Sequence, residues 1–458
     1  MTTSRTAITA LSVAVLVAGC GSNPATVAGP VTLPASTLPP STTVPAGQGW
    51  IDGEPDWVAT DSEEGGAKTY SGGAFDSAAA ATVAPADGGA SIAAESPPGE
   101  QAGLRAGSVD DNADFAAFLT YLARINELGI ATRDFDPTGR VVVSVTGTTG
   151  LPVAGAQITV AADGTEIAKL RTNADGTARF LPALYNADAV AEFTFTTGQV
   201  SASAAPGSAV ALQSDAVGGA TGPVALDVLF LLDATGSMGD EIDRLKVTID
   251  TVAAQVEDFE SQPDVRFAMT LYRDEGDTFV TSTFDFTGDV AAFRDALNDV
   301  VADGGGDYPE ALEEGLASAL SEPAWRDPAS TVQLVFLVGD APPRLDRQVP
   351  VEYPAAIVDA IGRGIKVFPI ASSESDDQAE AVFRQIASAT GARFVFLSYG
   401  AQGAAIGAAT DIASTDYEEL SLDALVVRLI AEELAALSGT QVEVPPITVP
   451  PVTNPDGQ

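Results

Sequence analysis

The segment Asp233-Ala-Thr235-Gly-Ser237-Met spaces oxygen-bearing side chains at alternate positions, immediately after the mostly apolar run Leu226 to Leu232. A run of that kind reads as a buried strand, so these oxygens converge where the strand opens into a loop and a helix. Short oxygen ligands at a strand's carboxyl end suit a hard divalent cation, since Mg²⁺ takes oxygens at about 2.0–2.1 Å in an octahedron. A second apolar run, Val332 to Val338, ends in Gly339-Asp340-Ala-Pro-Pro and sets Asp340 just past another strand end. Between the two, Asp303-Gly-Gly-Gly-Asp307-Tyr-Pro-Glu310-Ala offers a further carboxylate ahead of a helix. Each residue also has a local use. Thr235 and Ser237 can satisfy backbone groups at a helix start, Asp340 can shape a turn, and Asp307 with Glu310 can form a capping box. Tyr272-Arg273-Asp274 places Arg273 and Asp274 either behind the cation or on the surface around it.

The elements that must position these residues are legible from Val224 onward. Apolar strand-like runs alternate with amphipathic helices: Leu226 to Leu232, Ile242 to Val256, Val265 to Tyr272, Val290 to Val301, and so on to Leu422 to Leu437. Near-continuous apolar strands separated by helices imply an α/β fold, a doubly wound and mostly parallel sheet covered on both faces. Ligands in such sheets bind outside the carboxyl ends of the strands, where Asp233 and Asp340 fall. The acidic run Ser372 to Glu380 lacks the glycine and ligand spacing of a calcium loop and reads as a solvated helix N-terminus.

Upstream the pattern changes twice. Phe115, Phe118, Leu119, Tyr121, Leu122, Ile125 and Leu128 recur at helical spacing within 109–136, and the helix ends near Gly129. Residues 137–213 alternate instead, with Val141, Val143 and Val145, then Ile158 and Val160, then Phe180, then Phe193 and Phe195. Turn signals at Thr149-Gly150, Asp163-Gly164 and Asp175-Gly176 separate these runs, as a small all-β sandwich requires, and make Asp163 and Asp175 turn formers. Residues 21–108, rich in Ala, Gly, Pro, Ser and Thr, cannot bury enough apolar surface to offset their ordering entropy and read as a disordered tether. The Pro- and Val-rich tail, 438–458, reads the same way.

Composition narrows the function. The chain has 458 residues, 63 acidic against 22 basic, a formal net charge of −41 and no histidine. Nucleic acid is not expected as a partner, because that interface needs a basic stripe to displace counterions. The absence of histidine removes Ser-His-Asp and Cys-His catalysis. No general base or nucleophile stands near the first motif, so the expected activity is binding and not catalysis. The sole cysteine, Cys20, closes a stretch with Arg5 as a short basic region and Ala7 to Ala18 as an apolar core, which together read as a secretory signal over 1–20.

Three resemblances extend this reading. Val17-Ala-Gly-Cys20 resembles a bacterial lipobox, which implies lipidation of Cys20 and a lipid-anchored, extracytoplasmic location in the cell envelope. Gly150-Leu-Pro-Val-Ala-Gly-Ala-Gln-Ile-Thr-Val and Thr172-Asn-Ala-Asp-Gly-Thr-Ala-Arg-Phe resemble carboxypeptidase-regulatory and bacterial immunoglobulin-like modules. Residues 224–437, with Asp-x-Thr-Gly-Ser-Met, Tyr-Arg-Asp, Gly-Gly-Gly-Asp-x-Pro-Glu-Ala and Asp-Ala-Pro-Pro, resemble the von Willebrand factor A family. That resemblance implies a metal-ion-dependent adhesion site in which Asp233, Thr235, Ser237 and Asp340 hold Mg²⁺ or Ca²⁺. Where it implies a threonine from the middle loop, this chain has Gly306 and Asp307. Two carboxylates acting largely through water leave the ion electrophilic enough for a protein partner's Asp or Glu, whereas a third bound directly would weaken that attraction. The tether and β-module would then hold the site away from the membrane. A structural envelope role with a non-adhesive metal site, and a metal-dependent hydrolase, are the alternatives.

Overall fold

The chain divides into two units, residues 1–93 and 94–458. The structure, a computed structural model, describes residues 105–220, 223–259, 261–306, 308–372, 375–398 and 418–438, all in the second unit. The signal segment, Cys20, the tether as far as 104, Asp307 and the tail beyond 438 lie outside the described residues. Among the described residues, no helix is long and apolar enough to cross a membrane.

Strand β1 (Arg105–Val109) is followed by helix α1 (Phe115–Leu128). The Asp114 carboxylate caps α1 by accepting from the Ala117 amide at 3.0 Å, and Gly129, at φ +72°, ends it in the left-handed conformation that glycine adopts without strain. Then come β2 (Val141–Thr146), β3 (Gln157–Ala162), β4 (Thr165–Arg171), β5 (Thr177–Phe180), β6 (Phe193–Thr197), β7 (Val200–Ala204) and β8 (Ala209–Gln213). The remainder alternates: β9 (Ala225–Asp233), α2 (Gly239–Glu257), β10 (Asp264–Tyr272), β11 (Thr281–Thr287), α3 (Val290–Asn298), α4 (Leu312–Ser321), β12 (Thr331–Gly339), α5 (Tyr353–Arg363), β13 (Lys366–Ala371), α6 (Asp377–Thr390), β14 (Phe394–Ser398), β15 (Glu418–Ser421) and α7 (Leu422–Ser438).

The main sheet runs β11-β10-β9-β12-β13-β14-β1-β15. Strands β10, β9, β12, β13 and β14 pair in parallel, which is the mixed α/β arrangement the alternation implies. Every residue of β12 is buried, as are those of β9 after Ala225, because helices cover both faces and leave no solvent side for a polar alternation. The acidic run before α6 does start a helix: Asp376 caps it by accepting from the Ala379 amide at 2.8 Å. Glu380 in that first turn is not solvated, however. It is buried and pairs with Arg384 at 3.1 Å, and Arg384 in turn holds Asp111 in a two-pronged contact at 2.6 and 3.0 Å.

Two boundaries differ from the sequence reading. Residues 105–108, assigned by composition to the tether, belong to β1, which lies antiparallel between β14 and β15. The sheet therefore takes a strand from before the β-module, and 224–437 does not contain all of it. The β-module itself forms two small sheets, β5-β2-β8 and β4-β3-β6-β7, joined by Phe180 packing edge-on against Phe193 and Phe195 at 4.9 and 5.8 Å. The alternating residues named from sequence are its interior.

The module is no free spacer, because its core is continuous with that of the large sheet. Asp175 shows how the two are joined. Its carboxylate accepts from the Thr177 amide at 2.8 Å, forming the expected turn, and also meets the Lys366 ammonium of β13 at 3.2 Å. Lys366 reaches Glu433 of α7 at 2.6 Å, and the Asn173 amide donates to the Thr390 carbonyl at 2.9 Å. Burial pulls the Lys366 ammonium down, but Glu433 and Asp175 more than offset this and hold its pKa above the usual lysine value.

We predict that residues 224–437 alone do not fold cooperatively, whereas 105–438 do; thermal melts followed by circular dichroism check both. Lys366→Ala leaves the Glu433 carboxylate buried without its partner and should cost about 3–5 kcal/mol in urea unfolding of the full chain.

Candidate metal centre

Parallel pairing of β9 with β12, Leu232 opposite Val338, brings the ends of both strands to one edge of the sheet. Asp233 closes β9 and Asp340 follows β12 directly, so the two carboxylates named from sequence share that edge. The loop after β9 is knitted to the glycine-rich loop by main-chain bonds: the Gly236 amide donates to the Gly304 carbonyl at 3.0 Å and the Asp303 amide to that of Ala234 at 3.1 Å. The third loop is tied in through the Glu310 amide, which donates to the Pro342 carbonyl at 3.1 Å.

Within this frame Asp233 and Thr235 are buried, and Ser237 is exposed on the open side. One oxygen of Asp233, Oδ1, accepts from both the Thr235 amide at 3.0 Å and the Thr235 hydroxyl at 2.7 Å. Thr235 and Ser237 hydroxyls lie 3.2 Å apart. The other oxygen, Asp233 Oδ2, is buried with no hydrogen bond, and so are Asp340 Oδ1 and the Tyr272 hydroxyl. Burial, and then repulsion from Asp340, push the Asp233 carboxyl up to about 7. Burial likewise raises Asp340, with the Ser237 hydroxyl pulling it partly back. Gly339 lets the strands approach this closely: a Cβ there would lie 2.5 Å from the Tyr272 hydroxyl oxygen and 3.4 Å from Asp233 Cβ.

The capping box does not form. Helix α4 begins at Leu312 with Ala311 as its cap and no side-chain cap bond, and Asp307 lies outside the described residues. Glu310 is buried instead, and its Oε2 makes no hydrogen bond. A Cβ on Gly305 (φ +68°) would lie 2.8 Å from both Glu310 Oε1 and Thr235 Cβ, so Glu310 reaches the flank of the Asp233 loop. Burial, with Asp233, Asp274, Asp340 and Asp277 adding repulsion in that order, raises the Glu310 carboxyl to about 8. From the sequence Glu310 reads only as part of a cap; its position one residue after Pro309 in the glycine-rich loop is the available signal.

Arg273 and Asp274 are both buried and serve the loops. Arg273 donates to the Ala234 carbonyl at 3.1 Å and the Val301 carbonyl at 2.8 Å, clamping the first two loops together. Asp274 takes Arg344, just beyond Asp340, at 2.6 and 2.7 Å, which fixes the third loop. Asp277, not singled out from sequence, accepts from the Gly305 amide at 2.9 Å and the Asp274 amide at 3.1 Å; these bonds hold its carboxyl below the ordinary aspartate value.

Residues 227–402 match the von Willebrand factor type A domain. No curated protein matches the chain. Similar solved structures include proximal thread matrix protein 1 from the mussel byssus, 16% identical over 36% of this chain and 40% of that one, with a TM-score of 0.28. They also include the pilus adhesin SpaC from Lactobacillus rhamnosus GG in its open conformation, 11% identical over 54% of this chain and 32% of that one, TM-score 0.34. A third is the conserved hypothetical protein BatB from Bacteroides thetaiotaomicron, 11% identical over 46% of this chain and 98% of that one, TM-score 0.31. The chain spans less than half the length of the first two.

The donors of this type A domain fit a hard divalent cation, because the two unbonded carboxylate oxygens are buried at one edge beside two hydroxyls. Among the described residues, no group of three or more His, Cys, Asp or Glu is arranged to hold a metal, so the hydroxyls of Thr235 and Ser237 are needed to complete a set.

The raised carboxyls give a pH signature. Asp233 and Glu310 bind protons more tightly folded than unfolded, so their contribution to stability is full below the ordinary carboxylate range and is lost as pH rises through about 7 and about 8. In chelator, the melting temperature should therefore fall between about pH 5 and pH 8, and Asp233→Asn should flatten that fall. Melts across that range test it.

Proposed function

We propose that this type A domain binds a divalent cation, Mg²⁺ or Ca²⁺, and through it a carboxylate of a protein partner. The observation that carries the reading is the pair of buried, unbonded oxygens, Asp233 Oδ2 and Asp340 Oδ1, on one sheet edge. Burying charged oxygens without a partner costs several kcal/mol each, so a bound cation answers a need already built into the fold. When present, the ion supplies a fixed positive charge for a partner's Asp or Glu. The chain's own residues do the rest. Asp233 orients Thr235 through two hydrogen bonds, Ser237 faces the open side, and Arg273, Asp274 and Asp277 hold the loops in register.

Our reading of the setting is an exported protein anchored by a lipid on Cys20 to a bacterial membrane, as Val17-Ala-Gly-Cys20 supports. Binding is favoured over catalysis because the chain has no histidine and, among the described residues, the hydroxyls beside Asp233 are hydrogen-bonded to Asp233 and to each other and to no lysine that would activate them. A non-adhesive, structural metal site is the second reading. It is favoured by Glu310, buried on the flank of the Asp233 loop, which adds negative charge next to the ion and lessens its pull on a partner's carboxylate once a bound cation or high pH strips the proton its raised carboxyl otherwise keeps.

Calorimetric titration of Mg²⁺ and Ca²⁺ into the full chain tests the site. Wild type should bind one ion, Asp233→Ala and Asp340→Ala should lose binding by at least about 100-fold, and Glu310→Gln should retain it within about tenfold if Glu310 acts from the flank. Failure of the wild type to bind either ion would refute the proposal. Pull-down of partners with and without chelator separates adhesion from the structural reading.

A further inference from the structure

Among the described residues, the exposed large apolar side chains are Leu128, Val217, Val247, Val301, Tyr308 and Val351, and Tyr308 is the one aromatic among them. It is 47% exposed, whereas, among the described residues, the phenylalanines and tyrosine carried on the strands are buried or packed against the core. Its place in the fold is specific. Tyr308 follows the glycine-rich loop and stands over the third loop, where its hydroxyl donates to the Asp340 carbonyl at 3.2 Å and accepts from the Asp376 amide at 3.3 Å. Val301, another exposed apolar side chain, lies in the segment whose carbonyl Arg273 holds to the first loop.

A tyrosine bonded at its tip on both sides has little rotamer freedom left to lose. Its ring is thus a pre-ordered apolar face next to a charged site, the combination that makes aromatic residues dominate binding surfaces. We propose that Tyr308 is a specificity-determining residue of the metal centre: the partner's carboxylate is carried beside an apolar or aromatic group that packs on the Tyr308 ring. This rests on the cation-binding reading above. Charge complementarity selects the carboxylate and the exposed ring selects its neighbour, so acidic residues flanked by apolar ones are preferred over isolated or poly-acidic ones.

The test uses small carboxylates as probes on the full chain loaded with Mg²⁺: acetate, which offers the carboxylate alone, and 3-phenylpropionate, which adds a ring. Wild type should bind 3-phenylpropionate about three- to tenfold more tightly than acetate, the range expected from one aromatic contact. Tyr308→Ala should bind Mg²⁺ as wild type does and lose that preference, and Tyr308→Phe, which keeps the ring but loses both hydrogen bonds at its tip, should keep only part of it. Unchanged preference in Tyr308→Ala, or equal binding of the two probes by wild type, would overturn the assignment while leaving the cation site standing. Binding of 3-phenylpropionate that survives chelator would overturn it as well, since the ring would then act without the ion. Failure of wild type to take up Mg²⁺ is seen first, in the ion titration alone, and removes the site together with the role of Tyr308.

Discussion

Two carboxylates that repel each other share one dry edge because β9 and β12 pair in parallel without slack. The register runs from Ala225 opposite Thr331 to Leu232 opposite Val338, along strands buried on both faces. A one-residue slip would turn each strand's side chains to the other face, so the hydrophobic core fixes where Asp233 and Asp340 emerge. Apolar packing thus holds a polar strain in place. The loops around the two residues only refine what the pairing imposes: Thr235 takes one oxygen of Asp233, Gly339 removes the side chain that would force the strands apart, and Arg273 ties the loops.

Much of this is legible in the residues themselves. The apolar runs mark the strands, and strands ending in short oxygen side chains point to the same edge. Helix α1 and the module strands follow from their periods, because each buries one face. Strand β1 is not legible. Arg-Ala-Gly-Ser-Val is too short and too small-sided to show a period, and its partners in β14 and β15 lie far downstream. Glu310 misleads for a different reason. An acid three residues after another acid at a helix start fits a capping box, but the Glu310 backbone is taken up by Pro342 and Arg344, and the Ala311 amide donates to the Arg273 carbonyl. The helix starts later, and the side chain turns inward.

The module illustrates the same limit. Asp175 sits in the turn its sequence implies, yet one of its oxygens also serves Lys366, a contact between residues 191 positions apart that no local pattern encodes. Buried ion pairs of this kind add little net stability over apolar packing, but they penalise every wrong docking of module on sheet. The continuous core supplies the attraction, and the Lys366, Glu433 and Asp175 contacts select one arrangement.

The direction of β1 has a mechanical consequence. Because β1 runs antiparallel to β14, its first residue, Arg105, sits opposite Ser398, at the same end of the sheet as the carboxyl termini of β9 and β12. A pull on the chain ahead of Arg105, opposed by a pull at Asp233 and Asp340, has both its points of attack on one rim. The line of tension then runs across β14, β13 and β12, parallel to the ladder bonds and not along the strands. Strands loaded in that direction unzip bond pair by bond pair, starting at the rim, so tension would loosen first the loops that shape the site and leave the far end of the sheet intact.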